Sequence, residues 1–125
     1  MMAGGDAEGA GAGLEGVPPE YLQAVTQAGS ICTEITPSLI AGQIEAESGW
    51  DPTAVSPAGA QGIAQFMPAT WKSNGIDANG DGVADPFDPI DAIASQGQFM
   101  CGLVETVKAY VSSGQAVGNV VDLAL

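Results

Sequence analysis

Thr36-Pro37-Ser38-Leu39-Ile40-Ala41-Gly42-Gln43-Ile44-Glu45-Ala46-Glu47-Ser48-Gly49 is the stretch on which the fold turns. Thr36 is suited to cap a helix N-terminus, Pro37 suits the first helical position, and Gly49 suits the stop. Ile40 and Ile44, four apart, define one apolar stripe, and at 100° per residue Glu47 falls on that stripe while Glu45 points away. A carboxyl group carried on an apolar face is either paired or desolvated. Desolvation favours the protonated form, which is what a general acid requires. Near a helix end the same glutamate can instead hydrogen-bond neighbouring backbone amides, and periodicity does not separate the two.

Outward from this helix, the pattern stays helical. Pro18 and Pro19 open a segment with Tyr21, Leu22, Val25 and Ala28 at helical spacing, closed by Gly29. Downstream, Asp51-Pro52 and Ser56-Pro57-Ala58-Gly59 are turn sequences, so an irregular loop or short hairpin follows the Glu47 helix. Helical pattern is expected to resume over 61–66, and Pro68 opens a short helix holding Thr70 and Trp71 before Gly75. Asp88 caps the longest helix, with Pro89 at its first position and Ile90, Ile93, Gly97, Met100, Val104, Val107 and Val111 on one stripe. After Gly114 a further helix is expected, with Val117, Val120, Val121 and Ala124 on one side. With no internal repeat and no alternating strand, the class is mainly α.

Composition limits the chemistry. The chain of 125 residues is 46% hydrophobic and fits one domain. Fifteen acidic residues against two lysines, Lys72 and Lys108, give a net charge of −13, which opposes binding to nucleic-acid phosphates and to anionic membrane surfaces. No apolar run is long enough to span a bilayer. Histidine is absent, and so are histidine-based nucleophile schemes and imidazole metal sites. Carboxylates are left as the dominant reactive groups. Residues 1–16, mostly Gly and Ala, read as a disordered linker without the features of a signal peptide, and the folded domain is expected over 17–125.

A second carboxylate cluster lies at Asp77-Ala78-Asn79-Gly80-Asp81-Gly82-Val83-Ala84-Asp85-Pro86-Phe87-Asp88. It fits a twelve-residue calcium loop, with oxygen ligands from Asp77, Asn79, Asp81, Asp85 and Asp88, the backbone carbonyl of Val83, and glycine at the sixth position. Against calcium, the last position is Asp rather than Glu, and Pro86 and Pro89 disturb the exit. An Asx-rich turn running into the Asp88 cap fits the same residues. A bound ion would serve structure, and no cofactor is required for chemistry. Cys32 and Cys101 are compatible with one disulfide or with two buried thiols. A bond between them would contribute roughly 4 kcal/mol by loop closure.

Glu47-Ser48-Gly49-Trp50-Asp51-Pro52, then Ser56-Pro57-Ala58-Gly59-Ala60-Gln61-Gly62 and Gln65-Phe66-Met67-Pro68-Ala69-Thr70, resemble the soluble lytic transglycosylases. The elements E-S-x-x-(N/D)-P, S-P-x-G-A-x-G and Q-x-M-P-x-T occur in order and without gaps. The resemblance implies a lysozyme-like, mostly helical fold and a peptidoglycan glycan strand as substrate. It aligns Glu47 with the single catalytic acid/base, which cleaves between N-acetylmuramic acid and N-acetylglucosamine and leaves a 1,6-anhydro end. Ser56, Gly62, Gln65 and Met67 align with residues lining the sugar cleft. Their ordinary roles would be a turn hydroxyl, a close-packing glycine, an exposed amide and a core thioether, and the last is the better expectation for Met67. Asp51, before a proline in a turn, is a poor second carboxylate.

The resemblance also implies an exported, monomeric protein of the cell envelope, hence an oxidised Cys32–Cys101 pair. Family members continue past a Leu-Ala-Leu segment to a cleft tyrosine, so the domain is expected to be truncated at its C-terminus. Two other readings remain: a muramidase using water and a second carboxylate, and a non-catalytic cell-wall or calcium-binding module.

Overall fold

The computed structural model describes residues 14–113. Residues 1–13 of the linker expected over 1–16, and the expected final helix over 115–125, lie outside the described residues. A 3-10 turn, Pro19–Tyr21, leads into α1, Leu22–Ala28, followed by α2, Pro37–Ser48, α3, Pro68–Asn74, and α4, Pro89–Ser112. Among the described residues there are four α-helices and only isolated β-bridges, so the class is mainly α as expected.

Each helix begins where local chemistry places it. The Thr36 side chain accepts from Leu39 N at 3.2 Å, and Gly49 ends α2 in the left-handed conformation at φ 64°. Asp88 Oδ1 accepts from the N–H groups of Ile90 (2.9 Å) and Asp91 (3.0 Å), while Pro89 takes the first position of α4.

The core joins α1, α2 and the first half of α4 through Val25, Ala28, Ile40, Ala41, Ile44, Ala92 and Ile93. Gly97 lets α4 press on α1, since a Cβ there would meet the Ala28 carbonyl oxygen at 2.5 Å. A disulfide links Cys32, ahead of α2, to Cys101 in the middle of α4. Leu14, inside the stretch expected as linker, packs against this core, and its carbonyl accepts from Val17 N at 3.2 Å. At the other end the α4 stripe runs out of partners among the described residues, and Val111 is 48% exposed.

The segment 61–66 is not helical. Gln61 bridges both Val55 and Phe66, exchanging two backbone hydrogen bonds with Phe66 at 2.8 and 3.1 Å. Gly62 at φ 82° and Gln65 at φ 57° are left-handed, and that breaks the helical run its composition suggests. A Cβ at Gly62 would collide with the Pro86 carbonyl oxygen. This bridged loop therefore rests directly on the aspartate-rich segment ahead of α4.

Candidate active site

Where α2 leaves the core, its apolar stripe ends in solvent. Ile40 and Ile44 are fully buried, but Glu47, one turn on, is exposed at the mouth of a groove of about 740 Å³. Both sequence-based expectations for this carboxylate are corrected: it is not desolvated by the core, and among the described residues it accepts no backbone amide. The reason is geometric, since the helix overruns the core by its last turn and Gly49 then redirects the chain. Ser48 fixes that turn. Its hydroxyl donates to the Ile63 carbonyl at 2.7 Å and accepts from Asp51 N at 3.2 Å.

One wall of the groove is the α2 face made by Leu39, Gln43 and Glu47, spaced four apart. Facing it are Gln96, Phe99, Met100, Leu103 and Val107 of α4, and Gln65, Phe66, Met67 and Thr70 close the Glu47 end. At the far end Glu34 pairs with Lys108 at 2.5 Å. That hydrogen-bonded pair holds the Glu34 carboxyl below its usual range and the Lys108 ammonium above its own.

The four residues aligned with the sugar cleft divide into two pairs. Gln65 and Met67 line the groove. Gln65 is not a free amide, because its Nε2 donates to the carbonyls of Ala54 (3.1 Å) and Gly62 (2.8 Å) and so holds the left-handed turn. Met67 is 42% exposed at the rim, which corrects the expectation of a core thioether. Ser56 and Gly62 do not line the groove. The Ser56 hydroxyl accepts from Ala60 N at 3.0 Å within the turn, and Gly62 provides the close approach to Pro86. Asp51 is committed to its turn: hydrogen bonds from Thr53, the backbone N–H first, hold its carboxyl below the usual range.

The aspartate loop is organised around a residue that the twelve-residue reading did not include. Asp91, in the first turn of α4, is fully buried and accepts from the N–H groups of Ala78 (2.8 Å), Asn79 (3.2 Å) and Asp85 (3.1 Å). Carboxylate oxygens of Asp77, Asp81 and Asp91 lie within 4.8 Å of one another, close enough to surround one cation. Asp77 also accepts from Gly80, Asp81 and Gly82. Asp88 is the helix cap, and its second oxygen takes the Asn79 amide at 2.8 Å. The Asp85 carboxylate accepts from Phe87 N at 2.9 Å, and Val83 is 60% exposed. No helix among the described residues is long and apolar enough to cross a membrane.

Membrane-bound lytic murein transglycosylase B of Escherichia coli (strain K12) is 41% identical over 64 residues, which is 49% of this chain and 18% of that protein's length. The chain thus spans a minor part of that relative. No solved structure matches. The transglycosylase SLT domain family matches residues 16–117, and the chain belongs to that family.

Proposed function

We propose that the domain cleaves the β-1,4 bond between N-acetylmuramic acid and N-acetylglucosamine in peptidoglycan without water, leaving 1,6-anhydromuramyl ends. The observation that carries this reading is the unpaired, exposed Glu47 carboxyl at the end of α2, lining the groove between α2 and α4. As general acid, Glu47 gives its proton to the glycosidic oxygen as the C1–O bond breaks. As general base, it then takes the proton of the muramyl 6-hydroxyl, whose oxygen bonds to C1. Charge on the oxocarbenium-like intermediate is met by the substrate's own acetamido group.

The groove supports this over hydrolysis. A hydrolase with two carboxylates needs them about 5–9.5 Å apart. Among the described groove residues the other carboxylate is Glu34, which precedes the twelve-residue α2, about 18 Å long, and is paired with Lys108. The test is to digest purified peptidoglycan with the wild-type protein and with Glu47→Gln, and to weigh the muropeptides. Anhydro ends released by the wild type and lost in the variant are expected. Reducing ends 18 mass units heavier would overturn the reading in favour of a muramidase.

The same reading puts the protein in the cell envelope, acting as a monomer, where its disulfide is stable. Calcium is proposed as a structural ligand of the aspartate loop. Asp77, Asp81 and Asp91 would hold the ion, offsetting the mutual repulsion of their carboxylates and bracing the segment between α3 and α4. Calcium is then expected to raise the melting temperature relative to chelator, and Asp77→Asn to abolish that rise. An identical melt with calcium and with chelator would remove the ion from the account.

A further inference from the structure

Near Glu47 the groove holds a polar atom that neither the fold nor the reaction above uses. Gln96 is 5% exposed on α4 and lines the groove. Its Nε2 donates to Gln43 Oε1 at 2.8 Å and lies 3.9 Å from Met100 Sδ, while its Oε1 is buried and accepts no hydrogen bond. An acceptor left so is a desolvation cost that the fold recovers only if a donor arrives. Gln43 is exposed and stands one helical turn before Glu47 on the same face of α2, with about 5–6 Å between their Cβ atoms. The amide pair and the acid therefore address neighbouring points on one occupant of the groove.

The chemistry of that occupant follows from what surrounds the pair. The orphaned atom is a buried acceptor with no charge beside it, so an uncharged N–H or O–H donor reaches it at the least desolvation cost, and Phe99, Met100 and Met67 supply apolar surface for a sugar face or an acetyl methyl. We infer that Gln96 is a substrate-positioning residue. Outward rotation of Gln43 opens its amide to the groove, and Gln96 Oε1 then accepts a hydrogen bond from an N-acetylated sugar next to the bond that Glu47 protonates. The inference rests on the transglycosylase reading and adds a specificity element to the same groove.

Binding is measured apart from turnover by titrating N-acetylchitotetraose into Glu47→Gln and into Glu47→Gln/Gln96→Met by calorimetry. The second change is expected to weaken Kd about tenfold, the worth of one hydrogen bond. The melting temperature of Gln96→Met is expected to hold or rise, because the substitution removes a buried orphan. Should Gln96→Met fail to fold, Gln43→Met on an exposed side chain carries the test, with Kd about threefold weaker. Cellotetraose, with hydroxyls in place of acetamides, identifies the donor: loss of the Gln96 effect assigns it to the acetamide N–H, and persistence to a hydroxyl. Equal affinities in the two proteins, or a lowered melting temperature with affinity intact, would reduce Gln96 to a packing group. No binding by Glu47→Gln overturns the inference, whereas the transglycosylase reading stands or falls on the anhydro ends made by the wild type.

Discussion

Two carboxylates, Glu47 and Asp91, each sit near the end of a helix, and their surroundings are opposite. Asp91 is fully buried at the start of α4, where three backbone N–H groups converge on it. Glu47 stands in solvent at the end of α2, with no hydrogen bond or ion pair to any described residue. Amide donors fix a carboxylate in place, so Asp91 organises the loop from Ala78 to Asp85. A group that must give and regain a proton in one turnover needs the reverse, a carboxyl whose environment is completed by the substrate. The same functional group thus serves as a structural anchor in one region and, in the proposed function, as the reactive group in the other.

Exchanging each acid for its amide is the sharpest way to break that contrast. Glu47→Gln is expected to cut peptidoglycan cleavage by about 10²–10⁴-fold, the usual worth of a general acid/base, with its thermal melt unchanged. Asp91→Asn is expected to do the opposite. An amide nitrogen must then face an N–H donor inside the core, costing about 2 kcal/mol, on the order of 10 °C of melting temperature. Equal losses of stability in the two variants would show that Glu47 is a structural group after all.

Gly62→Ala asks how far the two regions depend on each other. The added methyl meets the Pro86 carbonyl on the aspartate side, and φ 82° is strained for any residue with a Cβ. A cost of about 1–3 kcal/mol is expected, together with a several-fold fall in activity as Gln65 and Met67 shift with the loop. A stable variant with normal cleavage would mean that the bridged loop adjusts independently of the aspartate segment.

Features governed by neighbours in sequence were legible before the structure. The caps at Thr36 and Asp88, the prolines opening α2, α3 and α4, and the stop at Gly49 all act within one helical turn. Glu47 and the residues of the bridged loop came through a local motif. What escaped depends on contacts made by the fold. Asp91 lies beyond a twelve-residue loop template, and only the curl of the loop over α4 brings it beside Asp77 and Asp81. The run 61–66 has helical composition, yet Gly62 and Gln65 take left-handed conformations because the Gln65 amide holds the carbonyls of Ala54 and Gly62. Glu47 shares a stripe with two core isoleucines, and the stripe alone does not tell where the core stops. Gln96 carried one faint signal, a polar residue between Ile93 and Met100 on a helix otherwise apolar on that side.

The smallest expected effect concerns the groove's far end. The Lys108 pairing lowers the Glu34 carboxyl below its ordinary 4.5, so its contribution to stability is complete above that pH and is lost as pH falls through the lowered value. For Lys108 the shift is upward from 10.5, so its share is complete below that pH and disappears only as pH rises past the raised value. Between those limits the pair acts at full strength, but both groups are open to solvent and salt screens them. Glu34→Gln should therefore lower the urea midpoint slightly at neutral pH. The difference from wild type should close in strong acid, where Glu34 is protonated, and in molar salt. A gap that survived both conditions would assign the loss to packing of the Glu34 side chain at the groove's end rather than to its charge, making this end, unlike the Glu47 end, a region where the carboxylate's shape matters more than its ionisation.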